Sequence, residues 1–175
     1  MKKFLVLVTT VFMLFAASAC SSTQNNETTE AGNDLKGSLS ELVAKVCEKY
    51  DFSPESFVYS GSDDAADVLY LVYGVENPDI LEDYVLYQRG DAKAATFAVF
   101  RFKDGTEKAT ITEFKDAIQY YYVEGMYKDF KLYNPDEYKI AEGASYKQYD
   151  NALVLAVYDT DGNNGIFQIT DTFKK

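Results

Sequence analysis

Residues 83–103, DYVLYQRGDAKAATFAVFRFK, hold two strand-like runs on either side of a turn signal. DYVLYQR (83–89) and TFAVFRFK (96–103) are rich in aromatic and β-branched residues, and Gly90-Asp91 between them supplies turn chemistry. The pattern predicts two antiparallel strands joined by a hairpin or a slightly longer loop. A second pair lies nearer the C-terminus: SYKQY (145–149) and ALVLAVY (152–158) flank Asp150-Asn151, a two-residue hairpin turn signal.

Helical patterns surround these pairs. Ser38-Leu39-Ser40-Glu41 offers a capping box, followed by Leu42, Val43, Val46, Cys47 and Tyr50 at helical spacing. Ser53-Pro54 marks a second N-terminus, for a short turn. Ser62 is placed to cap a stripe of Ala65, Val68, Leu69, Val72 and Tyr73, which Gly74 stops. Thr110-Ile111-Thr112-Glu113 reads as a capping box opening the longest helix, to about Phe130, with Ile111, Phe114, Ile118, Tyr121, Tyr122 and Met126 inward. Gly125 costs that helix about 1 kcal/mol relative to Ala and marks close packing. YNPDEY (133–138) ends it. The last stretch, GIFQITDTFKK (165–175), fits a helix through Ile166, Ile169 and Phe173 or a strand through Phe167 and Ile169; we take it as a helix. The expected fold is α+β: a small antiparallel sheet of about four strands in two hairpins, with one long helix and two or three shorter ones, forming a single domain over 37–175.

Composition narrows the function. Of 175 residues, 47% are hydrophobic and 26% charged, so a packed core is affordable. The 28 Asp and Glu against 17 Lys and Arg leave a net charge of −11, which repels phosphate backbones and argues against a nucleic-acid partner. Histidine is absent, which removes Ser-His-Asp and Cys-His catalysis and imidazole metal ligands. No Ser-x-x-Lys, Gly-x-Ser-x-Gly or Gly-rich phosphate loop is present.

The N-terminus, MKKFLVLVTTVFMLFAASAC, carries Lys2 and Lys3 before an apolar run from Phe4 to Ala17 that has the length of a signal-peptide core. Ala17-Ser18-Ala19-Cys20 resembles the lipobox of bacterial lipoproteins, in which the Cys sulfur receives diacylglycerol after cleavage before it. Ala17-x-Ala19 also suits an ordinary secretory signal, and both readings cut before Cys20. Residues 1–19 are therefore expected to be a signal peptide. Cys20 is the expected lipidation site, anchoring the chain to the outer face of the cell membrane. Loss of Lys2 and Lys3 takes the net charge from −11 to −13. Residues 21–36, SSTQNNETTEAGNDLK, contain one large apolar residue, Leu35, so 20–36 reads as a lipidated Cys and a polar tether. Cys47 is then the one remaining thiol, which rules out an internal disulfide and reads as a small core residue.

LYLVYGVENPDILEDYVLY (69–87), AVFRFKDG (98–105) and the hairpin through YDNALVLAVYD (149–159) resemble a family of uncharacterised lipid-anchored exported proteins from low-GC Gram-positive bacteria. The resemblance covers about residues 40–175. It implies a small α+β domain behind a lipid anchor and carries no catalytic residue with it.

Four features could carry chemistry. In DTDGNNGIFQIT (159–170), Asp159, Asp161 and Asn163 stand at positions one, three and five of a calcium loop, but Thr170 replaces the bidentate Glu at twelve and Asn164 the Gly at six. A polar Asp/Asn/Gly turn leaving the ALVLAVY strand is the better explanation of the segment, so calcium enters only as an alternative. Asp63-Asp64, Glu82-Asp83 and Asp136-Glu137 are paired carboxylates, yet neighbours in sequence do not face each other across a cleft, as glycosidase chemistry needs. Thr112 and Lys115 have a Thr-x-x-Lys spacing, beside a proposed helix start. Finally, Tyr120, Tyr121 and Tyr122 cannot all face one core, because successive helical residues diverge by about 100°. Tyr120 is expected to be exposed, with Tyr127 and Tyr133, and such rings suit binding of a protein or polysaccharide. The sequence thus favours a non-catalytic envelope-binding or scaffolding lipoprotein, with a glycan enzyme using carboxylates or tyrosines, or a calcium-dependent module, as alternatives.

Overall fold

Every residue of Ala152–Val157 is buried, so this strand is covered on both faces and must lie inside a sheet with helices on either side. The computed structural model describes residues 33–88 and 92–174. Its elements run α1 (Leu39–Cys47), β1 (Phe57–Tyr59), α2 (Ala65–Tyr73), β2 (Leu81–Tyr87), β3 (Thr96–Phe102), α3 (Lys108–Tyr120), a π-helical turn (Tyr121–Met126), α4 (Phe130–Tyr133), α5 (Pro135–Glu142), β4 (Ser145–Gln148), β5 (Ala152–Val157) and α6 (Thr160–Asp171). The sheet is antiparallel throughout, in the order β1-β2-β3-β5-β4. Both expected hairpins are in it, and the three-residue β1 adds a fifth strand on β2.

Side-chain alternation divides the core into two layers. Leu86, Ala98, Phe100, Leu153 and Leu155 face α2, α3, the π turn and α5. Val85, Phe97, Val99, Val154 and Ala156 face α1 and α6. Each large side chain so buried contributes about 1.5–3 kcal/mol, which is why β3 and β5 read as near-continuous apolar runs.

The boundaries differ from the sequence reading in four places. Leu35 is not in a tether: it is 1% exposed in the α1/α6 layer. Its N–H donates to Asn151 Oδ1 at 2.7 Å, its carbonyl accepts from Asn151 Nδ2 at 3.2 Å, and it bridges to Lys174. The fold therefore includes residues 33–36. The Thr110 capping box does not form either, since α3 starts one turn earlier at Lys108 and Thr112 Oγ1 donates to the Lys108 carbonyl inside the helix. The expected single helix to Phe130 is instead three pieces, with the π turn between α3 and α4. Ser62 does not cap α2 either: the N-cap is Asp64, and the Ser62 hydroxyl donates to the Tyr59 carbonyl at 2.8 Å. Other signals hold. Ser38 caps α1 through the Glu41 N–H, Gly74 ends α2 in the left-handed region, and the C-terminal stretch is helical.

Residues 1–32, including the signal peptide and Cys20, lie outside the described residues. Among the described residues no helix is long and apolar enough to cross a membrane.

Candidate functional site

Between β2 and β3 the chain crosses the end of the sheet through Ala92–Ala95, where no ladder partner exists for its backbone. Buried backbone groups without ladder partners need side chains to satisfy them. The helical layer supplies them. Tyr122 donates its hydroxyl to the Ala94 carbonyl at 2.6 Å, and Tyr127 to the Lys93 carbonyl at 3.0 Å. Asn134 Nδ2 donates to the Ala92 carbonyl at 3.3 Å, and Glu137 Oε2 accepts from the Ala94 N–H at 2.6 Å. One step further, the Tyr73 hydroxyl donates to the Tyr87 carbonyl at 3.0 Å and meets Thr96 Oγ1 at 3.0 Å. Burial holds the Tyr73 and Tyr122 hydroxyls well above the ordinary tyrosine range, so both stay protonated donors.

The π turn makes this clamp possible. Tyr122 and Tyr127 are five residues apart, a spacing that an α-helix splays to different faces and a π turn aligns. Tyr121 fills the space beside it. A Cβ on Gly74, whose φ is 71°, would sit 2.3 Å from the Tyr121 ring, and one on Gly125 would sit 3.6 Å away. Gly74 is thus required twice, for its backbone conformation and for the ring it admits.

Two cavities of about 260 Å³ each open beside the clamped segment and share Ala95. One is mixed and acidic, lined by Asp51, Glu137 and Asp159 with Lys93, Tyr158 and Ile140. The other is apolar and aromatic, lined by Val72, Met126 and Phe130 with Tyr87, Thr96, Tyr122 and Tyr127. At this same end α4 presents Leu132, 84% exposed, and Tyr133, 70% exposed, whose ring lies 6.0 Å from that of Phe130. The opposite end of the sheet is where residues 33–37 join: Asn33 donates to Asp150 Oδ2, and the Gly37 carbonyl accepts from Arg101.

The three singled-out tyrosines separate. Tyr120 and Tyr133 are exposed as expected, but Tyr120 borders a different, shallow groove with Asp116, Glu124 and Glu142. Tyr127 is a correction: it is 9% exposed and serves the clamp, because the π turn rotates it inward. The loop reading of 159–170 is also corrected. Asp159 is the N-cap of α6, its Oδ1 accepting from the Gly162 N–H at 2.7 Å, and Asn163 is buried with Nδ2 on the Gly143 carbonyl. With Asp161 on the first helical turn, these oxygens do not wrap a common centre, and among the described residues no group of three or more Asp, Glu, Cys or His is disposed to hold a metal.

The carboxylate pairs also part. Asp63 and Asp64 are exposed. Asp83 lies beside Arg101 Nε at 3.2 Å, and burial lifts its carboxyl above the usual range despite that charge. Of Asp136-Glu137, only Glu137 reaches the cavity. Lys115 pairs with its neighbour Asp116. Cys47 is half-buried, and burial together with the Glu55 charge raises its pKa, so it stays a thiol. Helical spacing marks Tyr73 and Tyr122 as inward-facing and Glu137 stands in a carboxylate pair, but no local signal announces that these three and Asn134 meet around one backbone segment.

Neither the curated proteins nor the solved structures contain a match to this chain. A family model described as a domain of unknown function, DUF4358, matches residues 59–158. The match runs from the end of β1 to the residue after β5, so it takes in nearly all of the sheet, the clamp and the α2–α5 layer, and leaves α1 and α6 outside. The chain belongs to the DUF4358 family.

Proposed function

We propose that this protein is a lipid-anchored extracytoplasmic binding module, held to the outer face of the cell membrane through Cys20 and engaging an envelope protein or polymer. The observation that carries the binding half is the placement of Leu132 and Tyr133. Both are largely exposed on α4, whose Phe130 walls the apolar cavity, at the end of the sheet opposite the point where residues 33–37 join. Strand β3 spans this distance with seven residues, about 20 Å, so a tether from Cys20 would leave that end free to meet a partner. The lipobox-like Ala17-Ser18-Ala19-Cys20 supports the anchoring half. A non-catalytic role is favoured over a glycan enzyme because Glu137 and Asp159 each use an oxygen on a backbone N–H.

Photocrosslinking in living cells tests the binding reading. A photoreactive residue at position 133 should give a recurrent adduct that Leu132→Asp removes. Equal labelling from exposed Glu113 on α3, or no adduct above background, would overturn it. Anchoring is tested separately: Cys20→Ala should abolish lipid labelling and release the protein, and continued membrane retention would refute the anchor.

A further inference from the structure

Resting on the binding reading above, we infer that the two cavities meeting at Ala95 form one bipartite socket for an extended segment of a protein partner, carrying a Lys or Arg two residues from an apolar side chain. Each cavity, at about 260 Å³, lies below the roughly 300–1,000 Å³ of sites that enclose a drug-sized ligand, so each suits a single side chain. They share the lining residue Ala95. In an extended chain residues i and i+2 project from one face, about 6.5 Å apart, a reach suited to two cavities that meet at one residue.

The linings set the chemistry of each position. Val72, Met126 and Phe130 wall the apolar cavity, and the flexible Met side chain lets it accept more than one apolar shape. Among the described residues lining the other cavity, Asp51, Glu137 and Asp159 outnumber Lys93 by two charges. The whole chain, at −11, adds a long-range attraction for cations. Tyr133 stands beside Phe130 at the rim, available to cover the bound segment. Anionic lipid headgroups are disfavoured by the same charge, and by the position of the socket at the far end of the sheet from residues 33–37.

Fluorescent Gly-flanked peptides containing Lys-Thr-Leu, Glu-Thr-Leu or Lys-Thr-Ser, titrated against the full chain by anisotropy, test this. Only the Lys-Thr-Leu peptide should saturate. Asp51→Lys, at an exposed position, should weaken it about fivefold. Val72→Phe, which fills the apolar cavity from a half-exposed position, should abolish binding. Equal binding of Glu-Thr-Leu would remove the charge argument, and equal binding of Lys-Thr-Ser would point to a merely cationic polymer; either overturns the socket. So does indifference to both substitutions, or no binding by any peptide. If the adduct at position 133 still forms in cells while these results fail, the binding reading stands and the socket falls.

Discussion

The Tyr122 hydroxyl donates to the Ala94 carbonyl over 2.6 Å, joining the π turn to a buried backbone group that the sheet leaves unpaired. Ala94 is 0% exposed, so no solvent replaces that donor if it is lost. Tyr122→Phe keeps the ring and strands the carbonyl, which should cost about 1–3 kcal/mol. Tyr127→Phe should cost less, because its bond to Lys93 is only partly buried. Urea midpoints for the two variants check this. An unchanged midpoint for Tyr122→Phe would mean the clamp contributes nothing to the fold.

Gly74 and Tyr121 make a second coupled pair. Gly74→Ala meets both a φ of 71° and a ring 2.3 Å from the new Cβ, so it should destabilise by more than the roughly 1 kcal/mol of the backbone conformation alone. Removing the ring separates the two causes. In a Tyr121→Ala background the same Gly74→Ala substitution should cost only the conformational part, and a double-mutant cycle reads the difference as coupling. Strict additivity would show that the ring yields freely.

What the sequence disclosed follows range. ALVLAVY and its Asp150-Asn151 turn are legible because strand burial and a two-residue hairpin are both local patterns. Gly74 is legible as a helix stop for the same reason. β1 is not, since Phe57–Tyr59 is too short for alternation to show. Leu35 looks like a stray apolar residue until Asn151, 116 positions later, turns its amide on it. Tyr127 fails for a subtler reason: a single π turn shifts the helical phase, and no residue type between 121 and 126 announces it. The site was legible only in part. Tyrosine surplus and the exposure of Tyr120 and Tyr133 could be read, whereas the meeting of Asp51, Glu137 and Asp159 depends on three distant elements.

Leu35 gives a test of where the fold begins. Leu35→Ala should cost about 2–4 kcal/mol, because the side chain is buried among α1, α6 and the β5 layer. Deletion through residue 32 should leave the thermal midpoint of the folded domain unchanged. Deletion through residue 36 should lower it by at least as much as Leu35→Ala does. Equal midpoints for the two deletions would return Leu35 to the tether.

Asp171 should govern how the α6 end responds to acid. Burial alone would raise its carboxyl, but Lys147 Nζ at 2.6 Å, Lys174 Nζ at 3.1 Å and the Tyr149 hydroxyl at 3.0 Å outweigh it and hold the group below the usual range. A pKa lowered on folding means that the unfolded chain takes up the proton first. The contribution is therefore fully present above the unfolded value of about 3.9 and is lost as pH falls through the folded value. With the carboxylate about a third exposed, solvent screens the pairs, and Asp171→Asn should cost about 1 kcal/mol or less at pH 7. Its larger signature is in the slope: wild-type urea midpoints should fall more steeply than those of Asp171→Asn between pH 5 and the acid limit of folding. Tyr149→Phe should lie between the two, since it removes one of the three donors and leaves both lysines in place. Parallel slopes for wild type and Asp171→Asn would place the acid sensitivity in other carboxylates, with Asp150 the next to examine, because a hydrogen bond from Lys108 lowers its pKa too.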